Sequence, residues 1–142
     1  MNDQSLSNDV ERVYHQWHDL AASGDPETRA NLYGEQAVLE SPLALLTLQQ
    51  DVGVIKGRAE VQRFFSAGKL RRPDAQFRWY RTGDYMTDGR MLVWEYPRET
   101  PNGEQIDIAE VMEVREGKIQ AHRIYWGWYG VRYLLRDSTG KR

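Results

Sequence analysis

The chain has 142 residues, 40% of them apolar and 28% charged, which suits one domain with a real core and excludes a disordered chain. Nineteen Lys and Arg against 21 Asp and Glu leave a formal charge of -2, so charge makes no case for nucleic acid or an anionic membrane as partner. The absence of cysteine excludes a disulfide framework, a thiolate nucleophile and a cysteine-ligated metal. No apolar run approaches the roughly 20 residues of a membrane helix. The opening residues lack a basic stretch followed by an apolar one, so no secretory signal is read and a cytoplasmic location is expected.

Val10, Val13, Tyr14, Trp17 and Leu20-Ala21 recur at helical spacing, predicting a helix from about Ser7 to Ser23 with Gly24 as its left-handed stop. Asp25-Pro26-Glu27 starts a second helix: Asp caps, Pro takes the first turn, and Glu favours the positive end. That helix is expected to carry Ala30, Leu32 and Tyr33 and to stop at Gly34. Ala37 to Pro42 reads as a short strand, and residues 43–54 are apolar without a clear period. Arg58 to Phe65 predicts a third helix burying Val61, Phe64 and Phe65 and ending near Gly68.

After Pro73 the pattern turns to strands. Ala75 to Thr82, Arg90 to Arg98, Gln105 to Arg115 and Lys118 to Gly127 are the candidates, with turn signals at 83–89, at Pro101-Asn102-Gly103 and at Glu116-Gly117. Residues 128–136 either extend the last strand or fold back. The whole chain, 1–142, is expected to form one α+β domain, with helices packed on an antiparallel sheet.

Sixteen aromatic residues are the unusual feature of the composition, and thirteen of them, the Trp and Tyr, carry a polar handle. Such residues suit an apolar cavity that must also hydrogen-bond, and they suit a core equally well. Glu110 lies on the same alternating face as Ile108, Met112 and Val114, and a carboxylate on such a stripe must be paired, protonated or at a cavity. His122 shares a face with Ile124 and Trp126 on the next strand, and the turn at Glu116-Gly117 brings it almost opposite Glu110. A histidine oriented by a carboxylate is the makings of a general base. Tyr14 and Trp17 line the inner face of the first helix, whereas His15 and His18 lie off that stripe and are expected to be solvated. His15 and Asp19 have metal-ligand spacing but no third histidine nearby, so no metal site is expected. No phosphate loop or nucleophile elbow is present, and Lys69 to Arg72 is too short a basic run for nucleic-acid binding.

The segments Ser23-Gly24-Asp25, Leu32 to Pro42, Ile55 to Phe65 and Ala109 to Ile119 together resemble the nuclear transport factor 2-like superfamily, in its SnoaL-like and ketosteroid isomerase-like branch, over roughly residues 8–130. The resemblance implies a cone-shaped half-barrel: three N-terminal helices packed on a curved antiparallel sheet enclosing a pocket. It also implies how the isomerase's residues map. The catalytic base falls at Ser41, the oxyanion tyrosine at Trp17 and the protonated oxyanion acid at Glu110. The aspartate that limonene epoxide hydrolases carry after their last aromatic pair falls at Gly127, behind Tyr125-Trp126. The expected site is therefore its own: His122 and Glu110 as catalytic residues, with Trp17, Tyr14, Ser41, Trp126 and Met112 binding a small apolar, aromatic or polycyclic substrate. Isomerisation, cyclisation, dehydration and hydrolysis without a cofactor all fit, and so does a non-catalytic ligand-binding or assembly module. A homodimer through the outer sheet face is expected from Trp79, Tyr80, Trp94 and Trp128.

Overall fold

The computed structural model describes residues 3–23, 25–71, 78–79, 84–99, 105–128, 130–132 and 135. The expected stop at Gly24, most of the strand expected at 75–82, the turn at 101–103, and Arg72 and Tyr80 lie outside the described residues.

Helix α1 spans Asp3–Ser23 and buries Val10, Val13, Tyr14 and Trp17, as their spacing predicts. Helix α2, Pro26–Ala30, is capped by Asp25, which accepts a hydrogen bond from the Thr28 amide. It ends sooner than expected because Tyr33 belongs to the sheet: strand β1 spans Tyr33–Glu40, and Tyr33 pairs with Ile119. The stretch of unclear period is one helical turn, α3 (Leu43–Thr47), followed by a loop that returns to strand β2 (Val54–Lys56). Ser41 organises that turn. Its Oγ accepts from the Leu43 amide at 3.2 Å, and its own amide donates to the Gly53 carbonyl at 2.8 Å. Helix α4, Arg58–Arg71, runs past the expected end and buries Val61, Phe64 and Phe65. Gly57 precedes it with a φ of 89°, a left-handed conformation that only glycine adopts at little cost.

Strands β3 (Arg78–Trp79), β4 (Met86–Thr87), β5 (Met91–Glu99), β6 (Gln105–Arg115) and β7 (Lys118–Trp126) complete a sheet of order β2-β1-β7-β6-β5-β3, with β4 also on the edge of β5. The sheet is open, and all its pairs are antiparallel except β1 with β7, which is parallel. Among the described residues before the last strands, four helices, two of them only five residues long, replace the expected three. After β7 the Val131 amide bonds back to Gly127, and the described residues of 128–135 are helical, so the chain does not extend the strand.

One face of the sheet forms the core: Leu39 of β1, Leu92, Trp94 and Tyr96 of β5, Ile108, Met112 and Val114 of β6, and Ile119 of β7 are all buried. Helix α1 covers this face, since Trp17 packs its ring 5.6 Å from both Trp94 and His122. Arg12 ties the same helix to the β6–β7 turn by donating to the Gly117 carbonyl at 2.9 Å. Trp94 thus lies on the inner face, under α1, and adds nothing to the outer surface on which a dimer was expected; Trp128 is exposed.

Candidate functional site

Residues Glu116 and Gly117 both have positive φ, at 53° and 72°, the geometry of a two-residue hairpin whose twist matches the strands. The ladder starts as Arg115–Lys118 and Val114–Ile119. Continued regularly, it would set Glu110 opposite Arg123 and leave His122 on the outer face. A bulge at Gln120 adds one residue to β7, so the next pairs are Glu113–Ala121, Met112–His122 and Glu110–Ile124. His122 is therefore not opposite Glu110 but two pairs along, the next position on the same face, and the bulge puts both on the inner face. The diagonal is short enough for a direct contact: His122 Nε2 lies 2.8 Å from Glu110 Oε1.

That contact is the middle of a longer chain. Trp17 Nε1–H donates to Tyr33 Oη at 3.0 Å, and Tyr33 Oη lies 2.7 Å from His122 Nδ1. At the other end Tyr96 Oη donates to Glu110 Oε2 at 2.6 Å. All five side chains are at most 5% exposed. Hydrogen-bond accounting assigns the protons. Tyr33 Oη already accepts from the indole, so its own proton is available to His122 Nδ1. The remaining imidazole proton then sits on Nε2 and faces a Glu110 carboxylate. Each donor points the same way, toward one negative charge that takes a bond on each oxygen. Desolvation raises the Tyr33 pKa above the ordinary phenol value and keeps the hydroxyl protonated, against the nearby Arg29 cation, which lowers it. Arg29 packs against two rings, its guanidinium carbon 4.4 Å from the Trp17 ring centre and 4.0 Å from that of Phe65.

Of the residues expected at the site, Glu110, His122 and Trp17 are brought together, and Met112 pairs directly across from His122. Trp17 does not present its N–H to a ligand, because Tyr33 takes it. Tyr14 is buried on α1, its ring tilted against Tyr85 at 4.4 Å and against His18 at 4.2 Å. Trp126 is partly buried on β7, two residues beyond Ile124, and its Nε1 has no hydrogen-bond partner among the described residues. Ser41 shares no hydrogen bond with this group among the described residues, its oxygen being committed to the α3 turn. His18, expected to be solvated, is half-buried against Tyr14, Trp17 and Trp94, and this desolvation lowers its pKa. Tyr33 and Tyr96 were not expected at the site. Tyr96 alternates with Trp94 on β5, a signal the sequence does contain. Tyr33 carries no such signal, because the helix start at Asp25-Pro26-Glu27 puts it at the tail of a helix.

Among the described residues no group of three or more His, Asp or Glu could hold a metal ion, and no helix is long and apolar enough to cross a membrane.

Several solved structures share the fold. A steroid delta-isomerase from Pseudomonas aeruginosa superposes with a TM-score of 0.68 at 17% identity, covering 94% of this chain and 90% of its own. A phenazine biosynthesis-related protein from the same organism gives 0.68 at 16% identity, covering 94% and 89%. SalBIII, an epoxide hydrolase/cyclase-like enzyme of pyran ring formation in the polyether salinomycin, gives 0.60 at 20% identity, covering 84% and 92%. No curated protein matches the sequence. The SnoaL-like domain model matches residues 12–122, from the middle of α1 to the histidine of the buried chain. The chain belongs to the SnoaL-like domain family, within the nuclear transport factor 2-like superfamily.

Proposed function

We propose that the protein is an acid–base enzyme acting on a small, largely apolar, aromatic or polycyclic molecule, with His122 as the proton acceptor and Glu110 as the group that orients it. The observation that carries this reading is the buried chain from Trp17 to Tyr96. A carboxylate and an imidazole in a dry core stabilise a fold poorly compared with apolar residues of the same volume, so their retention needs another reason. Their arrangement supplies one. A substrate C–H bond next to a carbonyl breaks and its proton passes to Tyr33 Oη, while the tyrosine's own proton moves to His122 Nδ1. The electron pair stays on the substrate as an enolate. The imidazolium that forms keeps Nε2–H on the Glu110 carboxylate, which offsets its charge. Return of the proton to another carbon completes an isomerisation; loss of a leaving group or attack on a second carbonyl completes a dehydration or cyclisation. Among the distant structural relatives, one is named a steroid delta-isomerase and another an epoxide hydrolase/cyclase-like enzyme, so the fold carries isomerase and cyclase-like activities elsewhere.

A second reading is favoured by one observation: both nitrogens of His122 are engaged within the protein and the ring is fully buried. In that reading the chain is a polar tie inside a non-catalytic ligand-binding module. Deuterium exchange separates the two. In D2O, 2-tetralone and larger fused-ring ketones should exchange the protons beside the carbonyl faster with the protein than in buffer. His122→Gln should lower that rate about 100-fold or more while ligand binding persists. Equal exchange by the parent and by His122→Gln favours the module. A cytoplasmic location and a homodimer through the outer sheet face belong to the same proposal. Exposed Tyr125 on β7 and Trp128 just beyond it support the latter.

A further inference from the structure

We infer that His18 and Trp94 form a ligand site under the first helix, which takes a hydroxyl group carried on an apolar or aromatic ring. This deepens the proposed function and rests on its premise that such a molecule enters the interior.

Trp94 lies on β5 opposite Glu110 and is 4% exposed, yet its Nε1 has no hydrogen-bond partner among the described residues. A buried N–H without a partner is costly and rare in native folds, so a group that satisfies it is expected. His18 faces it from α1, its ring centre 5.2 Å from that of Trp94. His18 Nδ1 lies 2.8 Å from the Tyr14 carbonyl and donates to it, so in the neutral ring Nε2 carries the lone pair. That nitrogen has no hydrogen-bond partner among the described residues. Burial is the largest influence on His18 and favours the neutral ring. Glu110 of β6 opposes it, while Arg29 of α2 and His15 of α1 reinforce it.

One indole donor and one imidazole acceptor, both uncharged, define the complementary group. A hydroxyl accepts from Trp94 and donates to His18 at once. A carbonyl leaves the imidazole unused, and a carboxylate brings a second negative charge toward Glu110. An ammonium group has nothing to offer the indole. The frame that carries the hydroxyl is set by the rings around the pair: Tyr14 packs 4.2 Å from His18 and 5.7 Å from Trp94, Trp17 lies 5.6 Å from Trp94, and Tyr85 covers Tyr14 at 4.4 Å. Planar aromatic or fused-ring alcohols fit such walls.

The probes are 2-naphthol and its methyl counterpart 2-methylnaphthalene, titrated into the intact protein at pH 8. The parent should bind 2-naphthol about 3- to 10-fold more tightly, the worth of one neutral hydrogen bond. In Trp94→Phe and in His18→Phe that ratio should fall toward one, with the affinity for 2-methylnaphthalene changed less than twofold. In the unsubstituted protein the Trp94 indole N–H resonance should move on adding 2-naphthol and stay in place with 2-methylnaphthalene, a readout that does not depend on how either variant folds. Equal binding of the two probes by the parent, or a preference that survives both substitutions, overturns the site and leaves the proposed function standing. Failure of both probes to bind overturns the premise and the site together.

Discussion

Tyr33→Phe isolates the centre of the buried chain. The substitution keeps the ring and its packing against Phe65, whose centre lies 5.7 Å away, and removes one oxygen. That oxygen serves two buried groups: it accepts from Trp17 Nε1–H at 3.0 Å and contacts His122 Nδ1 at 2.7 Å. Trp17 is 2% exposed and His122 fully buried, so water does not readily replace it at either end. Leaving a buried polar group unpaired costs about 1–3 kcal/mol, so the two together cost about 2–6 kcal/mol. Adding Trp17→Phe removes one of the orphaned groups. The double variant should therefore be more stable than the sum of the single losses by about 0.5–3 kcal/mol, the coupling usual for groups in one network. Urea unfolding at pH 7 of the parent, both single variants and the double variant measures all four corners. A loss below about 0.5 kcal/mol for Tyr33→Phe, or strictly additive losses, refutes the chain as drawn.

Because burial lowers the His18 pKa below the ordinary 6.5, its contribution to stability is complete above that pH and fades as pH falls through the lowered value; His18→Gln should flatten the acid side of the stability curve. Tyr33 behaves in the opposite sense. Its raised pKa gives a contribution that is complete below about pH 10 and lost as pH rises, so Tyr33→Phe should flatten the alkaline side. Gly53→Ala should destabilise by about 1–3 kcal/mol in thermal unfolding, since the new Cβ would meet the Ser41 carbonyl oxygen at 2.9 Å, and that carbonyl accepts the Ala44 amide. Light scattering at micromolar concentration should give twice the chain mass, and Trp128→Lys should return it to one; a monomeric parent refutes the dimer.

What the sequence makes legible follows local periodicity. The α1 stripe and the bounds of β6 were readable because each element buries one face with its own regular period. Glu110 stood out for the same reason, as a carboxylate in an otherwise apolar alternation. The register that joins it to His122 was not readable, because it depends on a single extra residue at Gln120, and nothing in the local sequence marks a bulge there. Tyr33 was placed in a helix because Asp25-Pro26-Glu27 starts one convincingly. Pairing with Ile119 of β7, a contact across most of the chain, ends that helix earlier than propensity alone requires. His18 misled for a related reason. Its position off the α1 stripe is real, but its ring is covered by Trp94 from β5. The aromatic residues point to a lined interior without saying which rings turn inward; Trp94, expected on the outer surface, lies against the candidate site.

The most direct measurement is the protonation pattern of the His122 ring, by long-range nitrogen–proton NMR on protein labelled at histidine near neutral pH. A chain that runs from Trp17 through Tyr33 to Glu110 requires the proton on Nε2 and a lone pair on Nδ1. The expected result is that tautomer, with a slowly exchanging Nε2 proton whose resonance shifts in Glu110→Gln and whose ring loses its Nδ1 hydrogen bond in Tyr33→Phe. A proton on Nδ1, or spectra that neither substitution changes, would contradict the chain and the acid–base role built on it.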